Sequence, residues 1–403
     1  MEETFLPYGR QVIDDEDIAA VVDVLRGDWL TTGPMVEAYE TAFAAEVDAV
    51  HAIACSSGTA GLHLLAVASG LGPGDVVVVP TVTFLATANA ARYVGAEVVF
   101  TDVDPDTGLM RVDDFHDAVA RVPPGQVKAV FPVHLNGHCV DVTALRNVSD
   151  GLFLAEDACH ALGGGQYTLN GAMAPIGACS ASDAAMFSTH PVKAIATGEG
   201  GMLTTNNTDL AERLRVTRNH GLVRIPDRFR NLEMAYERGD NEVAPWYYEM
   251  HTLGFNYRLN DLQCALGLSQ LRRLRGFVQT RRRLRDRYDF LLRGLGPHVE
   301  PLSVAPGCEP AWHLSVALID FASLGATRSA VMRELRARGI GSQVHYLPVH
   351  QQPYYRERYT TPDLPGAARY YERCLSLPLY PAMTEVDVDH VVEVLAEVLS
   401  VGE

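Results

Sequence analysis

Short apolar runs rich in β-branched residues recur through the first half of the chain, at residues 76–79, 98–101, 127–133, 152–155 and 184–188, with helically spaced stretches between them. Runs that are apolar throughout suit strands covered on both faces. The alternation therefore predicts an α/β fold built on a large, mostly parallel sheet flanked by helices. Upstream, Ile18, Val21, Val22 and Leu25 fall at helical spacing behind acidic residues suited to a helix start. They predict a first helix over residues 14–25 that ends near Gly27. The pattern changes near Asn260. Residues 261–295 form one long helical stretch rich in Leu and Arg, and its basic run Arg281-Arg282-Arg283 reads as a solvated helix face. After Gly296-Pro297 the spacing predicts a strand near 313–319, a helix over 328–338, a strand-like segment at 342–346 and a terminal helix over 388–399. Two units result: residues 1–260 as a large α/β domain with an N-terminal arm, and 261–403 as a connecting helix with a smaller C-terminal α+β domain.

Composition narrows the functional classes. The 403 residues are 47% hydrophobic and 21% charged, ordinary values for a globular chain long enough for a substantial core. The formal charge of −17 argues against a general nucleic-acid or anionic-membrane surface, both of which need a cationic footprint. An anionic substrate in a locally basic pocket stays open. The seven cysteines are odd in number and include no CxxC pair for zinc or thiol exchange, which fits a reducing cytoplasm. Residues 1–17 are acidic and lack the basic start and apolar stretch of a signal peptide, and no apolar run reaches membrane-spanning length. A cytoplasmic protein is the expectation, and the sequon-like Asn147-Val148-Ser149 then carries no glycan.

Four segments carry candidate chemistry. The run Phe187-Ser188-Thr189-His190-Pro191-Val192-Lys193 places one lysine between an apolar strand and the turn Gly198-Glu199-Gly200-Gly201. Taken alone, a loop lysine is a surface residue. In apolar surroundings, however, its pKa falls and the amine becomes a nucleophile for carbonyl chemistry. Cys55-Ser56-Ser57-Gly58-Thr59-Ala60 runs into an apolar helix, an arrangement that caps a helix or offers its N-terminal amides to a phosphate. In Leu154-Ala155-Glu156-Asp157-Ala158-Cys159-His160 two carboxylates close an apolar strand, at the strand end where ligands of such sheets collect. A carboxylate there could hold a pyridine nitrogen protonated. Asp157 and His160 could also ligate a metal, but no third ligand has the spacing. The fourth segment, Gly254-Phe255-Asn256-Tyr257-Arg258-Leu259-Asn260, sets an amide and a guanidinium ahead of the long helix, where capping would explain them equally well. Phosphate helix, acidic strand end, lysine and polar turn, in that order, point to pyridoxal 5'-phosphate.

With these segments the chain resembles the DegT/DnrJ/EryC1/StrS family of sugar aminotransferases over nearly its whole length. Further matches are Gly33-Pro34, Thr81 through Asn89, Val103-Asp104-Pro105, Asn219-His220-Gly221, Val344 through His350 and Leu375 through Pro378. The resemblance implies the PLP-dependent transferase fold type I of aspartate aminotransferase. It implies that Lys193 holds the cofactor covalently and shuttles the proton, and that Asp157 pairs with the pyridinium nitrogen. Phe84 would stack on the ring and His160 would sit by its phenolic oxygen. Gly58, Thr59, Ala60 and Ser188 would surround the phosphate, and Asn256 would reach it from a second subunit, making a homodimer with shared sites. Trp29, Thr31, His190, Arg258, His345 and His350 are the candidate substrate contacts. The amino donor implied is L-glutamate. Residues 6–11, 28–34 and 344–355 resemble the branch that aminates C4 of a UDP-linked 4-keto-6-deoxy N-acetyl sugar in pseudaminic acid biosynthesis. Thr189, Ala194, Ala196 and the stretch His134 through His138 depart from the usual family pattern. Other UDP- or dTDP-3- or 4-ketosugars are the alternative acceptors. Two rival readings are a sugar dehydratase, which has histidine in the lysine slot, and a silent regulatory protein on the same scaffold. Lys193 fills that slot, three positions after His190, and the complete lysine, aspartate and phosphate-loop set argues against a silent scaffold.

Overall fold

The computed structural model describes residues 5–168, 171–236 and 242–400; the first four residues of the acidic N-terminal stretch lie outside the described residues. A seven-stranded sheet is built from β1 (His51–Cys55), β2 (Val76–Pro80), β3 (Glu97–Thr101), β4 (Val127–Val130), β5 (Phe153–Asp157), β6 (Ala184–Ser188) and β7 (Gly201–Thr205), in the order β1-β7-β6-β5-β4-β2-β3. Only β7 runs against its neighbours. Val77, Val78 and Val79 of β2, next to the edge strand β3, are wholly buried, and each such side chain stabilises the fold by roughly 1.5–3 kcal/mol. Of the expected apolar runs, 127–133 is the one that shortens. Past Val130 it leaves the ladder, and only Val133 bridges again, to Asp157. The strands β1 and β7, with the sequences HAIAC and GMLTT, lack long β-branched runs and carry no comparable signal.

The helix α1 (Asp15–Arg26) opens with a reciprocal capping box between Asp14 and Asp17 and ends at Gly27, as the spacing predicts. Behind it, α2 (Pro34–Glu46) has proline in its first turn, and the buried Asp261 carboxylate accepts from the Gly33 and Met35 amides at 2.8 and 3.0 Å. Gly33-Pro34 is thus a helix start docked on another helix. Two shorter helices, α3 (Gly58–Ala68) and α4 (Leu85–Tyr93), begin beside the C-terminal ends of strands. The long helix α5 (Asp261–Arg293), 33 residues and about 50 Å at 1.5 Å per residue, is capped by Asn260. It packs against α1 and α2, and also against the terminal helix α6 (Glu385–Leu399).

A second, antiparallel sheet holds β8 (Val299–Pro301), β9 (Ser315–Ile319) and β10 (Cys374–Leu377) in that order. The expected strand at 342–346 is not there. Only Gln343 bridges Ser376, while Val344 through Leu347 line a cavity, so their apolar character serves that wall rather than a ladder. One expectation about the long helix also changes. Arg281 is 3% exposed, because its face of α5 is covered, whereas Arg282 and Arg283 do turn outward to Glu309 and Glu385. The N-terminal arm crosses to the second sheet's side of the molecule, where Leu6 pairs with Gly339 and Gly341.

Candidate active site

A cavity of about 610 Å³ opens at the C-terminal ends of β5 and β6, the expected mouth for a ligand in a sheet of this kind. Asp157, the last residue of β5, is 5% exposed and lines it. Its carboxylate is held from behind. Oδ2 accepts from the Thr87 hydroxyl at 2.6 Å and Oδ1 from the Cys159 amide at 3.2 Å, and Thr83 is in turn 2.8 Å from Thr87. Thr87 sits in the first turn of α4, so that helix start positions the acid.

Lys193 lines the same cavity from the loop after β6, in a turn closed by its own amide donating to the His190 carbonyl at 2.8 Å. The residue is partly exposed to the cavity, yet desolvation lowers the pKa of its amine below the usual lysine value, only partly opposed by Cys159 and Asp157. An amine so desolvated is neutral over a wider pH range than a surface lysine.

Across the cavity, Ser57 caps α3. Its hydroxyl accepts from the Ala60 amide at 3.1 Å, and its carbonyl from the Gly61 amide, while the Gly58 and Thr59 amides have no hydrogen-bond partner among the described residues. Ala60 is therefore used in the cap, and the free donors are those of Gly58 and Thr59. A Cβ on Gly58 would come within 3.2 Å of Ser188 Cβ and 3.4 Å of Cys159 Sγ, so glycine lets the helix start lie close to Ser188 at the end of β6. Two free amides at a helix N-terminus beside a hydroxyl form an anion cradle.

The wall opposite is rich in imidazoles. His160 Nδ1 accepts from the Asn136 amide at 3.2 Å, which leaves the proton of the neutral ring on Nε2, 3.3 Å from the Tyr346 hydroxyl. His313 lies behind, ring centroids 4.4 Å apart, and His345 is tied to Ser376 at 2.8 Å. Burial first, and the Lys193 charge with it, holds His160 well below the ordinary imidazole value and His345 down to about 3. Phe84 and His190 also line the cavity, Phe84 with its ring centroid 6.0 Å from that of Tyr346.

Four other candidates lie elsewhere in a single chain. Trp29 sits in a separate groove between α1 and α5, and Thr31 is exposed in the loop that docks on the start of α5. His350 bonds Thr81 at 2.6 Å behind the wall, and Arg258 donates to Asn219 at 2.6 Å. Asn256, the remaining cofactor candidate, is exposed away from the cavity, its backbone bridging Asn219. Conversely, Tyr8 and Tyr346, which line the cavity, and Thr87 behind Asp157 were not singled out, although each lies in a stretch that matches the family. His313 stands in none, and only the fold brings it here. No group of three or more His, Cys, Asp or Glu among the described residues could hold a metal ion.

An anion cradle, an amine and a fixed carboxylate around one cavity fit the phosphate, aldehyde and pyridine nitrogen of pyridoxal 5'-phosphate. The sequence profile of the DegT/DnrJ/EryC1/StrS aminotransferase family matches residues 11–396. The chain belongs to this family. It is 40% identical over 400 residues, 98% of this chain and 97% of the other, to the spore coat polysaccharide biosynthesis protein SpsC of Bacillus subtilis. Its structure is similar to Helicobacter pylori PseC, an aminotransferase involved in the biosynthesis of pseudoaminic acid, with TM-score 0.86, 26% identity, and 98% and 100% of the two chains covered. Spr1654 of Streptococcus pneumoniae, classed with the sugar aminotransferases, matches in its PMP form with TM-score 0.86, 27% identity, and 98% and 99% coverage, and it is also known in a PLP form. The fold is the type I fold of PLP-dependent aminotransferases, and pyridoxal 5'-phosphate is the cofactor. No helix among the described residues is long and apolar enough to cross a membrane.

Proposed function

We propose that this family member transfers the amino group of L-glutamate to the C4 carbonyl of a nucleotide-linked 4-keto-6-deoxy sugar. The preferred acceptor is UDP-2-acetamido-2,6-dideoxy-β-L-arabino-hexos-4-ulose. The likeness to PseC supports the sugar class, and the observation that carries the reaction type is the buried Lys193 amine facing the cavity that Asp157 closes. Bound pyridoxal phosphate supplies the electron-poor ring that takes up the electron pair left when the donor's α-proton departs. In this reading Asp157 keeps the ring nitrogen protonated, and Thr87 and the Cys159 amide hold that carboxylate still. Gly58, Thr59 and Ser188 bind the phosphate. His160 offers Nε2–H toward the phenolic oxygen, while Phe84 covers the ring. Lys193 anchors the cofactor, then carries the proton between the donor's α-carbon and the cofactor's C4'.

A homodimer belongs to this reading. Asn256 is exposed in a single chain, and Trp246, Tyr248, Met250 and Leu253 near it are exposed apolar side chains that a second copy would cover. Docked so, Asn256 completes the phosphate site of the other subunit. The test of function is to incubate the protein with glutamate and a panel of UDP- and dTDP-ketosugars and locate the new amino group by NMR. Amination at C4 of the UDP sugar is expected; a product from dTDP sugars alone overturns the acceptor. In parallel, Lys193→Ala should lose the visible absorbance of the lysine-bound cofactor and on the order of 1,000-fold or more of turnover. Turnover retained in that variant would remove Lys193 from the mechanism.

A further inference from the structure

One face of α5 grips the lysine loop by its backbone at three points. Gln263 Nε2 donates to the Glu199 carbonyl at 2.6 Å, Gln270 Oε1 accepts from the Ala196 amide at 3.4 Å, and Arg281 Nη2 donates to the carbonyl of Lys193 itself at 3.2 Å. The three residues are spaced by about two and three helical turns, so they form one stripe. Gly267 lies along it, where a Cβ would come within 3.0 Å of Thr197 Cγ2 in the loop. Gln270 also ties in the N-terminal arm, donating to the Val12 carbonyl at 3.0 Å and to Asp17 at 2.6 Å.

Arg281 is the unusual member. Its guanidinium is buried, and among the described residues its Nε and Nη1 have no hydrogen-bond partner and no carboxylate pairs with it, so burial lowers its pKa unopposed. Burying a cation without a counter-ion costs several kcal/mol, so a contribution to stability does not explain this residue. A methionine or leucine would fill the space more cheaply.

We infer that Arg281 is a positioning residue for Lys193, fixing the height of the lysine backbone so that the amine is delivered to one place in the cavity, with Gln270 as the second fixed point. The inference rests on Lys193 being the cofactor's anchor. Its geometry separates it from Arg285, one turn further along α5. Arg285 is equally buried but is bound to Asp289, the Leu302 carbonyl and the face of Trp312, away from the loop.

The experiment compares holoenzymes of Arg281→Met, Arg281→Lys, Gln270→Met and the control Arg285→Met by visible circular dichroism and by the rate at which saturating glutamate bleaches the lysine-bound band, alongside thermal unfolding. In Arg281→Met the dichroic band should change in amplitude at equal cofactor content, and bleaching should slow about 10- to 100-fold, the scale of a ~1 Å misplacement. Arg281→Lys should recover most of both. Arg285→Met should lower the melting temperature and leave the band and the rate per bound cofactor unchanged. Wild-type band and rate in a folded Arg281→Met, or in Gln270→Met if the former does not fold, overturn the inference. Lys193→Ala distinguishes the two failures: if it keeps the lysine-bound band, the anchor itself is misassigned and the inference falls with it.

Discussion

Asp157 enters the cavity with both carboxylate oxygens already engaged from behind, by the Thr87 hydroxyl and the Cys159 amide, so its remaining lone pairs have one direction to face. Asparagine at that position keeps the shape but loses the charge that would hold a pyridine nitrogen protonated. Asp157→Asn should therefore retain part of the bound cofactor, readable by absorbance, while the glutamate half-reaction slows severely. An unchanged half-reaction would place the essential carboxylate elsewhere. Thr87→Val tests the support. A hydrogen bond to a charged group is worth about 1.5–3 kcal/mol, so its loss should slow the same half-reaction roughly 10- to 100-fold with cofactor still bound. The acid was legible in the sequence because a charged residue closing an apolar run is conspicuous, and the amine only through the company of the other three segments. Thr87 was not, since its partner lies 70 positions away, and neither was the pairing of Tyr346 with His160 across 186 positions.

At the scale of elements, α5 was legible as one long helix but its inward face was not. In a helix enclosed by several others, polar side chains such as Arg281 and Gln270 point inward to hold a loop, and periodicity counts them as solvated. The strand expected at 342–346 failed for a related reason, because an apolar cavity wall and an apolar ladder read alike. Two glycines of α5 test how tightly the helix face is fitted. Glycine in a helix interior costs about 0.5–1 kcal/mol relative to alanine, so replacement should stabilise wherever there is room. At Gly276 a Cβ meets nothing within 4 Å, and Gly276→Ala should stabilise the fold by up to that amount, read as a higher urea midpoint at unchanged m. At Gly267 a Cβ would stand 2.6 Å from Tyr39 Cζ and 3.0 Å from Thr197 Cγ2. Overpacking of that kind costs about 1–3 kcal/mol, so Gly267→Ala should lower the midpoint and slow bleaching by glutamate as Thr197 moves. A stabilised Gly267→Ala would mean that the helix and the lysine loop are not in contact there.

The whole molecule keeps several histidines neutral in its interior, and this sets its response to acid. Burial holds His138 and His345 at about 3, and His160 and His313 well below the ordinary value. Because each folded pKa is below the unfolded one, near 6.5, the unfolded chain binds more protons between the two values. The stabilisation is thus complete above pH 6.5 and is lost as pH falls toward 3. One such residue contributes a loss of about 1 kcal/mol on acidification from pH 6.5 to 5.5. Depressed carboxylates do not blur this window: Glu97, held at about 2 by Arg358 and Tyr359, loses its contribution only below about 4.5. His138 is the cleanest probe, since it lies outside the cavity, buried, with Nε2 accepting from the Ala305 amide at 2.6 Å. Urea unfolding of wild type should show stability falling between pH 7 and 5.5, and His138→Gln, less stable at pH 7, should fall by about 1.3 kcal/mol less over the same interval. Parallel pH dependences in the two proteins would show that His138 titrates alike folded and unfolded, and that the acid sensitivity of the fold has another source.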